Sequence, residues 1–569
     1  MSAQQAASNE PRSDSMSERE KEVAQDDVDK KPQENPVEDD ASMLSAGNLR
    51  VCVVQAIGGT LNGYSIGFVG VYSTLYGYST NCANYRFESG CSTVPNANCK
   101  WFPPSGTAAG YCGWVDGTCS KLYPNEDNGG TSDNDAIVNC NGDSSRCAWS
   151  YSAGECQNPS GYSSSDNGIF AGAMIAGCLI GSVFAGPLAT AIGAKISFLL
   201  VGIVGIVSSV MYHVSCAEDE FWVLIVGRFV IGLFLGVVGV ACPMYTDQNA
   251  HPRWKRTIGC LFQVFTTFGI FMASMMGLAL GQSIYFDHDR DQKTMARMQG
   301  LCAVSTMFSI VMIGLGVIVN DSRAKFDGGD DKNAIELDAN EYGYVEMIPR
   351  LVMGTVMAGT LQLTGINAVM NYAPTIMGSL GLAPLVGNFY VMVWNFVTTI
   401  ISIPLSYVFT MRQLFLFGSI FTSCMCMFMC GIPVYPGVSS RDAKDGVAIT
   451  GIILFILGFE VCVGPCYYVL TQDMFPPSFR PRGASFTQVM QFIFNLIINV
   501  CYPIATERIS GGKSGNQDKG QAIAFIFFGG LGIICFIVQV FFLHPWDEAK
   551  DGKKDMSPDQ RRGEAELAQ

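Results

Sequence analysis

Charge is what this sequence has least of. Of its 569 residues only 15% are Asp, Glu, Lys or Arg, while 49% are apolar, and the mean hydropathy is positive. Soluble domains carry about 25% charge, so the deficit excludes an ordinary water-soluble globule and points to lipid. Bases are outnumbered by acids, 35 to 49, for a net charge of −14. With no basic stripe anywhere, nucleic-acid binding is excluded. Much of the acidity sits in residues 1–48 and in loops, so it describes tails rather than a cationic partner. Histidine is scarce as well. His213, His251, His288 and His544 are scattered at predicted helix ends and loops, without ligand spacing. No metal site and no phosphate loop is legible, so neither a metal nor another cofactor is expected, and no enzymatic group emerges. The N-terminus lacks the apolar run and small-residue cleavage site of a signal peptide. Residues 1–48, rich in Ser, Glu, Gln and Asp, are expected to be a disordered acidic tail.

What the sequence has in abundance is long apolar runs. A membrane-spanning helix needs about 20 mostly apolar residues. Such stretches lie near 50–78, 168–190, 195–214, 221–243, 257–281 and 300–320, and again near 350–378, 384–408, 412–432, 447–471, 483–506 and 520–543. The expected fold is therefore an all-α membrane protein with twelve transmembrane helices in two six-helix bundles. The first bundle covers 49–320, a cytoplasmic linker 321–349, the second bundle 350–543, and a cytoplasmic tail 544–569. An even count places both termini on one side.

Lys and Arg favour cytoplasmic loops. Arg253, Lys255 and Arg256 lie in one short loop and Arg480 and Arg482 in another, which puts both termini in the cytoplasm. Cysteine agrees. Residues 79–166 hold Cys82, Cys91, Cys99, Cys112, Cys119, Cys140, Cys147 and Cys156 in a Gly-, Ser-, Asn- and Asp-rich setting. An even count in such a segment reads as a disulfide-rich extracellular loop. Four bridges allow 105 pairings, and spacing selects none of them. The loop has no glycosylation sequon, since Asn158 precedes Pro159. The plasma membrane is the expected location. The two basic loops also resemble each other: Asp247 and Asp473 are each followed six to nine residues later by bases, as a repeat of parallel halves requires.

Polar residues inside apolar spans need a cavity or a partner. Gln263, Gln362, Thr364, Asn367, Asn371, Asn395, Glu460, Tyr467, Tyr468, Thr487, Gln488, Gln491 and Asn495 all fall within predicted spans. Gln362, Asn367 and Asn371 share roughly one helical face. Amides both donate and accept, as sugar hydroxyls require, and aromatic rings suit the C–H face of a pyranose. Any one of these amides serves equally well as interhelical glue. Spread over five spans, they describe a shared cavity for a neutral polyol. Gly172, Gly177, Gly181, Gly186, Gly232, Gly236 and Gly239 read as packing positions. Gly464-Pro465 removes a helix hydrogen bond and reads as a hinge.

Several of these residues stand in motifs. Gly58-Gly59, Gly63-Tyr64 and Gly67 form a GG…GY.xG pattern. Gly227-Arg228-Phe229, Gly232, Gly236 and Pro243-Met244-Tyr245 form GRF…G…G…PMY, Gln362 to Val369 reads QLTGINAV, and Phe459-Glu460-Val461 precedes Gly464-Pro465. Over about residues 50–550 the chain resembles the sugar-porter branch of the major facilitator superfamily, and its cysteine-rich loop looks closest to kinetoplastid hexose transporters. The resemblance implies a small-molecule sugar substrate, D-glucose and conceivably D-fructose, carried by alternating access in a monomer. It implies sugar contacts at Gln263, Gln362, Asn367, Asn371, Asn395, Glu460, Tyr468 and Gln491. It also implies a cytoplasmic gate that includes Arg228, Asp473 and Arg480, with Gly464 and Pro465 moving between states.

The departures carry information too. Proton-coupled relatives have Asp where this chain has Ser65, so the resemblance implies a uniporter; a symporter using Glu460, a sugar-sensing receptor and a non-sugar facilitator are the alternatives. Leu361 and Asn371 replace family Gln and Tyr, which alters the sugar contacts. Gln248 replaces a gate Glu, and the loop after the eighth span keeps only Met411-Arg412 of its basic motif. A lightly latched outward-facing state is the expected consequence.

Overall fold

The chain was analysed as a computed structural model. It describes residues 42–79, 99–103, 111–114, 148–150, 155–157, 164–218, 220–286, 294–319, 342–366, 370, 384–438, 441–511 and 517–547. Helices dominate. The first group is α1 (Ala46–Ser79), α2 (Ser164–Glu218), α3 (Phe221–Asn249), α4 (Lys255–Phe286) and α5 (Thr294–Ile318). The second is α6 (Ile348–Leu363), α7 (Pro384–Val408), α8 (Met411–Met425), α9 (Arg441–Gly458), α10 (Gly464–Asp473), α11 (Arg480–Ser510) and α12 (Gln517–Phe542). Among the described residues nine helices are long and apolar enough to cross a membrane. The outward faces carry Phe184, Trp222, Phe417, Phe527 and Phe541, all strongly exposed. In water such a surface would be a liability; against acyl chains it is the required solvent match.

Backbone detail refines the predicted spans. α2 is two spans joined at Gly193, whose φ of 80° breaks the helix direction; only glycine adopts that value without strain. α9 runs into α10 through a π-helical turn, Phe459–Val463, directly before Gly464-Pro465. Pro465 has no N–H to donate to the turn before it, and the wider π turn absorbs the mismatch. Gly464 itself is helical, with φ −56°. Its lack of a side chain serves close approach, since a Cβ there would meet the Gln263 side chain at 3.1–3.2 Å.

α6 differs from its sequence reading. The shared face of Gln362, Asn367 and Asn371 presumes one continuous helix. Instead α6 ends at Leu363, and Gly365 takes φ +99°, so helical spacing does not extend past it. Asn367 and Asn371 lie outside the described residues.

The cysteine-rich segment adds strand to a fold read as all helix. β1 (Cys99–Phe102) pairs antiparallel with β2 (Tyr111–Trp114), setting Cys99 opposite Trp114 and Cys112 opposite Trp101. β3 (Ala148–Ser150) pairs with β4 (Glu155–Gln157), setting Cys156 opposite Trp149. Cys82, Cys91, Cys119, Cys140 and Cys147, and the side chains of Cys99, Cys112 and Cys156, lie outside the described residues. Every cysteine beyond that segment is a free thiol.

Small residues set the helix spacings. A Cβ at Gly63 would overlap the carbonyl oxygen of Thr266, which fixes α1 against α4; Gly181 is held the same way against Leu233, between α2 and α3. Gly177, Gly232 and Gly236 repeat the device in the α2–α3 seam, as the packing reading expects. Both ends of the described chain reach one face of the bundle. Asn48 accepts at Oδ1 from the His251 backbone N–H (3.0 Å), and Trp546 donates its backbone N–H to the Asp473 carbonyl (2.8 Å).

Candidate functional site: a buried carboxylate knot and an ion-paired face

The face that collects both chain ends is closed by charge. Asp247, at the end of α3, accepts from Arg480 Nη1 at the start of α11 (2.6 Å) and pairs with Lys255. Lys255 also reaches Asp473 at 3.9 Å. These links tie the α1–α5 group to the α6–α12 group. Neutral contacts reinforce them. Trp254 stacks on Tyr407 with centroids 5.8 Å apart, Ser406 donates to Thr257 (3.3 Å), and the Gly186 N–H donates to Ser485 Oγ (2.7 Å). Of the expected gate residues, Arg480 and Asp473 lie in this cluster, but they do not pair with each other. Asp247 is the hub. Its repeat with Asp473 was visible in sequence, whereas its partner was not.

Arg412 donates to the Leu543 and Val540 carbonyls, capping the end of α12, where orphan carbonyls welcome a cation. Arg350 donates to the carbonyls of Met474 (3.3 Å) and His544 (2.7 Å) and faces the Trp546 ring at 5.4 Å. The basic motif after the eighth span is short, yet its arginine secures the chain end.

Arg228, expected in the gate, lies apart from this cluster. It lies 19 residues before Asp247 on the same helix, roughly 28 Å away at 1.5 Å per residue. It is fully buried. Its Nη1 donates to the Ser65 carbonyl (2.7 Å), and its guanidinium faces the rings of Phe170 (5.3 Å) and Phe68 (5.8 Å). Each such contact is worth about 0.5–2 kcal/mol. No carboxylate pairs with Arg228 among the described residues.

The second polar centre lies deeper. Glu460, 3% exposed, sits on the π turn. Its Oε1 accepts from Asn395 Nδ2 (3.0 Å). Its Oε2 accepts from Gln263 Nε2 (3.0 Å) and from Thr399 Oγ1 (3.2 Å). Three elements thus meet at one carboxylate: α4 through Gln263, α7 through Asn395 and Thr399, and the π turn. Each hydrogen bond contributes about 1 kcal/mol net, and an orphaned buried partner costs more than that.

A cavity of about 520 Å³ opens from this knot, within the range of small-molecule sites. It is lined by Gln263, Gln362, Asn395, Glu460, Tyr468, Gln488 and Gln491. It continues past Asn62, Ser274, Asn388, Asn495 and Asn499, away from the ion-paired face. Gln362, Gln488, Gln491 and Tyr468 are nearly buried. Tyr468 packs edge-on to Phe262 at 4.8 Å. Gln491 Oε1 and Asn395 Oδ1 are buried without a hydrogen-bond partner among the described residues. The structure therefore brings Gln263, Gln362, Asn395, Glu460, Tyr468 and Gln491 to one cavity. Asn62 and Asn388 join them in the lining and Thr399 joins at Glu460 without having been singled out: Asn388 is a lone polar residue with no motif around it, and Asn62 stands at an unnamed position of the GG…GY.xG pattern. Tyr467 is turned inward and donates to the Thr487 carbonyl (3.3 Å), a structural role.

Two predictions follow from the geometry. Replacing Glu460 by Gln puts an NH₂ where three donors converge, so the transported flux should fall at least tenfold at unchanged surface level, measured by uptake in cells. Replacing Asp247 by Asn removes the hub shared by Lys255 and Arg480, whereas Asp473→Asn removes one 3.9 Å contact. Distance distributions between spin labels across the ion-paired face should broaden toward an open state more in the first variant, by a population ratio of about tenfold for ~1.4 kcal/mol.

The comparisons agree with this architecture. The sugar (and other) transporter family model matches residues 51–546. Glucose transporter 2A of Trypanosoma brucei brucei is 48% identical over 513 residues, covering 90% of each chain. Glucose transporter HT1 of Trypanosoma vivax is 46% identical, covering 91% of this chain and 89% of its own. Membrane transporter D2 of Leishmania donovani is also 46% identical, covering 89% and 90%. Among solved structures, the proton:xylose symporter XylE of the major facilitator superfamily superposes with a TM-score of 0.62 at 15% identity, covering 87% of this chain and 96% of that one. It shows the fold alone. On residues 51–546 this chain belongs to the sugar (and other) transporter family.

Proposed function

We propose that this chain is a facilitative hexose transporter whose cargo is D-glucose, held at the Glu460 knot and released by alternating access. One observation carries the reading. The polar lining of the cavity that meets the knot is mostly neutral amides with a tyrosine hydroxyl, Glu460 and Arg228 being its charged members, and two of its amide oxygens have no partner among the described residues. Such a surface matches a neutral polyol, whose hydroxyls donate and accept in equal measure. The glucose transporters among its relatives support the choice of sugar.

The mechanism follows from the two polar centres. With the ion-paired face shut, sugar enters from the opposite side and exchanges water for amide contacts. Gln263 on α4 and Glu460, Asn395 and Gln362 on the second group draw the two halves together around it. Opening then requires Asp247–Arg480 and Lys255–Asp473 to part, and this exposes the cavity to the other side. Net affinity is modest because each new hydrogen bond replaces one to water, and a modest affinity permits release. The neutral Ser65 beside Arg228 leaves no acid–base pair there to exchange a proton, which supports uniport.

The same reading takes twelve spans, both termini and the ion-paired face in the cytoplasm, the cysteine-rich hairpins outside and disulfide-bonded, the plasma membrane as location, and the monomer as the working unit. The test is radiolabelled D-glucose uptake in a hexose-transport-null host, with D-fructose as competitor. Saturable uptake that survives a protonophore and is lost in Gln362→Ala, with the variant still at the surface, is the expected outcome. Uptake that collapses with the proton gradient contradicts uniport, and no uptake from correctly inserted protein contradicts the hexose assignment.

A further inference from the structure

The buried arginine at the edge of the cavity is unsolved by anything above. Arg228 is fully buried and lines the cavity wall. Among the described residues its well-formed hydrogen bond goes to the Ser65 carbonyl. Its Nε and Nη2 atoms are buried with none. A permanently charged guanidinium inside a membrane fold is costly unless a counter-charge or a full set of acceptors meets it, and no carboxylate does so among the described residues. The aromatic rings beside it offer partial compensation and accept no hydrogen bond in its plane. Tyr212 shares the spot. It stacks on Phe68 at 5.0 Å, the same ring that Arg228 faces, and its buried hydroxyl lies against the Arg228 guanidinium and Ser208, without a hydrogen bond of ordinary geometry among the described residues. Two guanidinium nitrogens without acceptors among the described residues thus stand beside a phenol hydroxyl, on a residue that lines the cavity wall.

The geometry points to a site for a small inorganic monoanion, chloride in kind, held by Arg228 Nε and Nη2 with the Tyr212 hydroxyl. The anion supplies the missing counter-charge, accepts from donors that a sugar in the main cavity does not engage, and enters by the same route as the cargo. Guanidinium donors in a low-dielectric pocket are suited to such a guest. The charge and the vacancy of acceptors select an anion over a neutral ligand, and the close-set rings select a small one. This site lies apart from the Glu460 knot, so it goes beyond the transport reading and its test does not require sugar.

The experiment is thermal unfolding of the purified full chain in detergent, in sodium chloride and in sodium isethionate at equal ionic strength, without sugar. A ligand that binds only the folded state raises the melting temperature in a saturable way. Chloride is expected to raise it by several degrees over isethionate, saturating in the millimolar range. Arg228→Gln should abolish the difference. Ser65→Asp, which places a carboxylate beside the guanidinium that already touches residue 65, should abolish it too, and it keeps the test decisive if Arg228→Gln does not fold. D-glucuronate, added to the isethionate series, separates a free anion from a carboxylate carried on a sugar. No difference between chloride and isethionate in the native chain overturns the site. So does a difference that persists undiminished in Ser65→Asp, or protection by D-glucuronate without protection by chloride.

Discussion

Every part of this molecule depends on one constraint: a polar group placed in the bilayer must find its partner inside the protein. Glu460 shows how the constraint is met. Its carboxylate takes hydrogen bonds from Gln263, Asn395 and Thr399, and those partners come from both groups of helices. Satisfying one buried acid therefore fixes the relative position of α4, α7 and the π turn, and sets Asn395 and Gln491 in the cavity wall with their amide oxygens unpaired among the described residues. The π turn and Gly464 belong to the same solution. The turn sets Glu460, and the missing Cβ lets Gln263 come close.

Two kinds of contact hold the halves together, and they differ in how easily they are exchanged. The knot is buried, and its carboxylate is held by neutral donors. The ion-paired face is partly solvated: Arg480 and Lys255 side chains are 21% and 25% exposed. Ion pairs that keep contact with solvent contribute less net energy than their number suggests, so they suit a contact that must open and close. The aromatic stack of Trp254 on Tyr407 adds apolar area to the closed state without a desolvation cost. Both ends of the described residues are drawn into the same face through Trp546 and Asn48.

Much of this was legible in sequence because membranes impose strong patterns. Apolar run length located the helices, and the GRF and QLTGINAV motifs pointed to the family. Six of the eight proposed sugar contacts appear in the cavity lining, because isolated amides in apolar spans are costly and so stand out. What escaped was what periodicity cannot carry. The end of α6 depends on the φ of Gly365, and a helical wheel drawn through Gln362, Asn367 and Asn371 presumes that no such break exists. Arg228 was read into the gate by motif. Its position along α3, some five turns from Asp247, puts it elsewhere. The hub role of Asp247 and the arrival of Thr399 at Glu460 are pairings between distant segments, and no single sequence states who faces whom.

The central claim is that the amide-lined cavity at Glu460 carries hexose without an energy source. Equilibrium exchange in sealed proteoliposomes, with no ion gradient and equal D-glucose on both sides, tests it most directly. The account predicts rapid, saturable exchange of labelled D-glucose that L-glucose does not inhibit and that an imposed proton gradient does not turn into accumulation. Exchange that is absent from correctly reconstituted protein, or accumulation driven by the proton gradient, would contradict it.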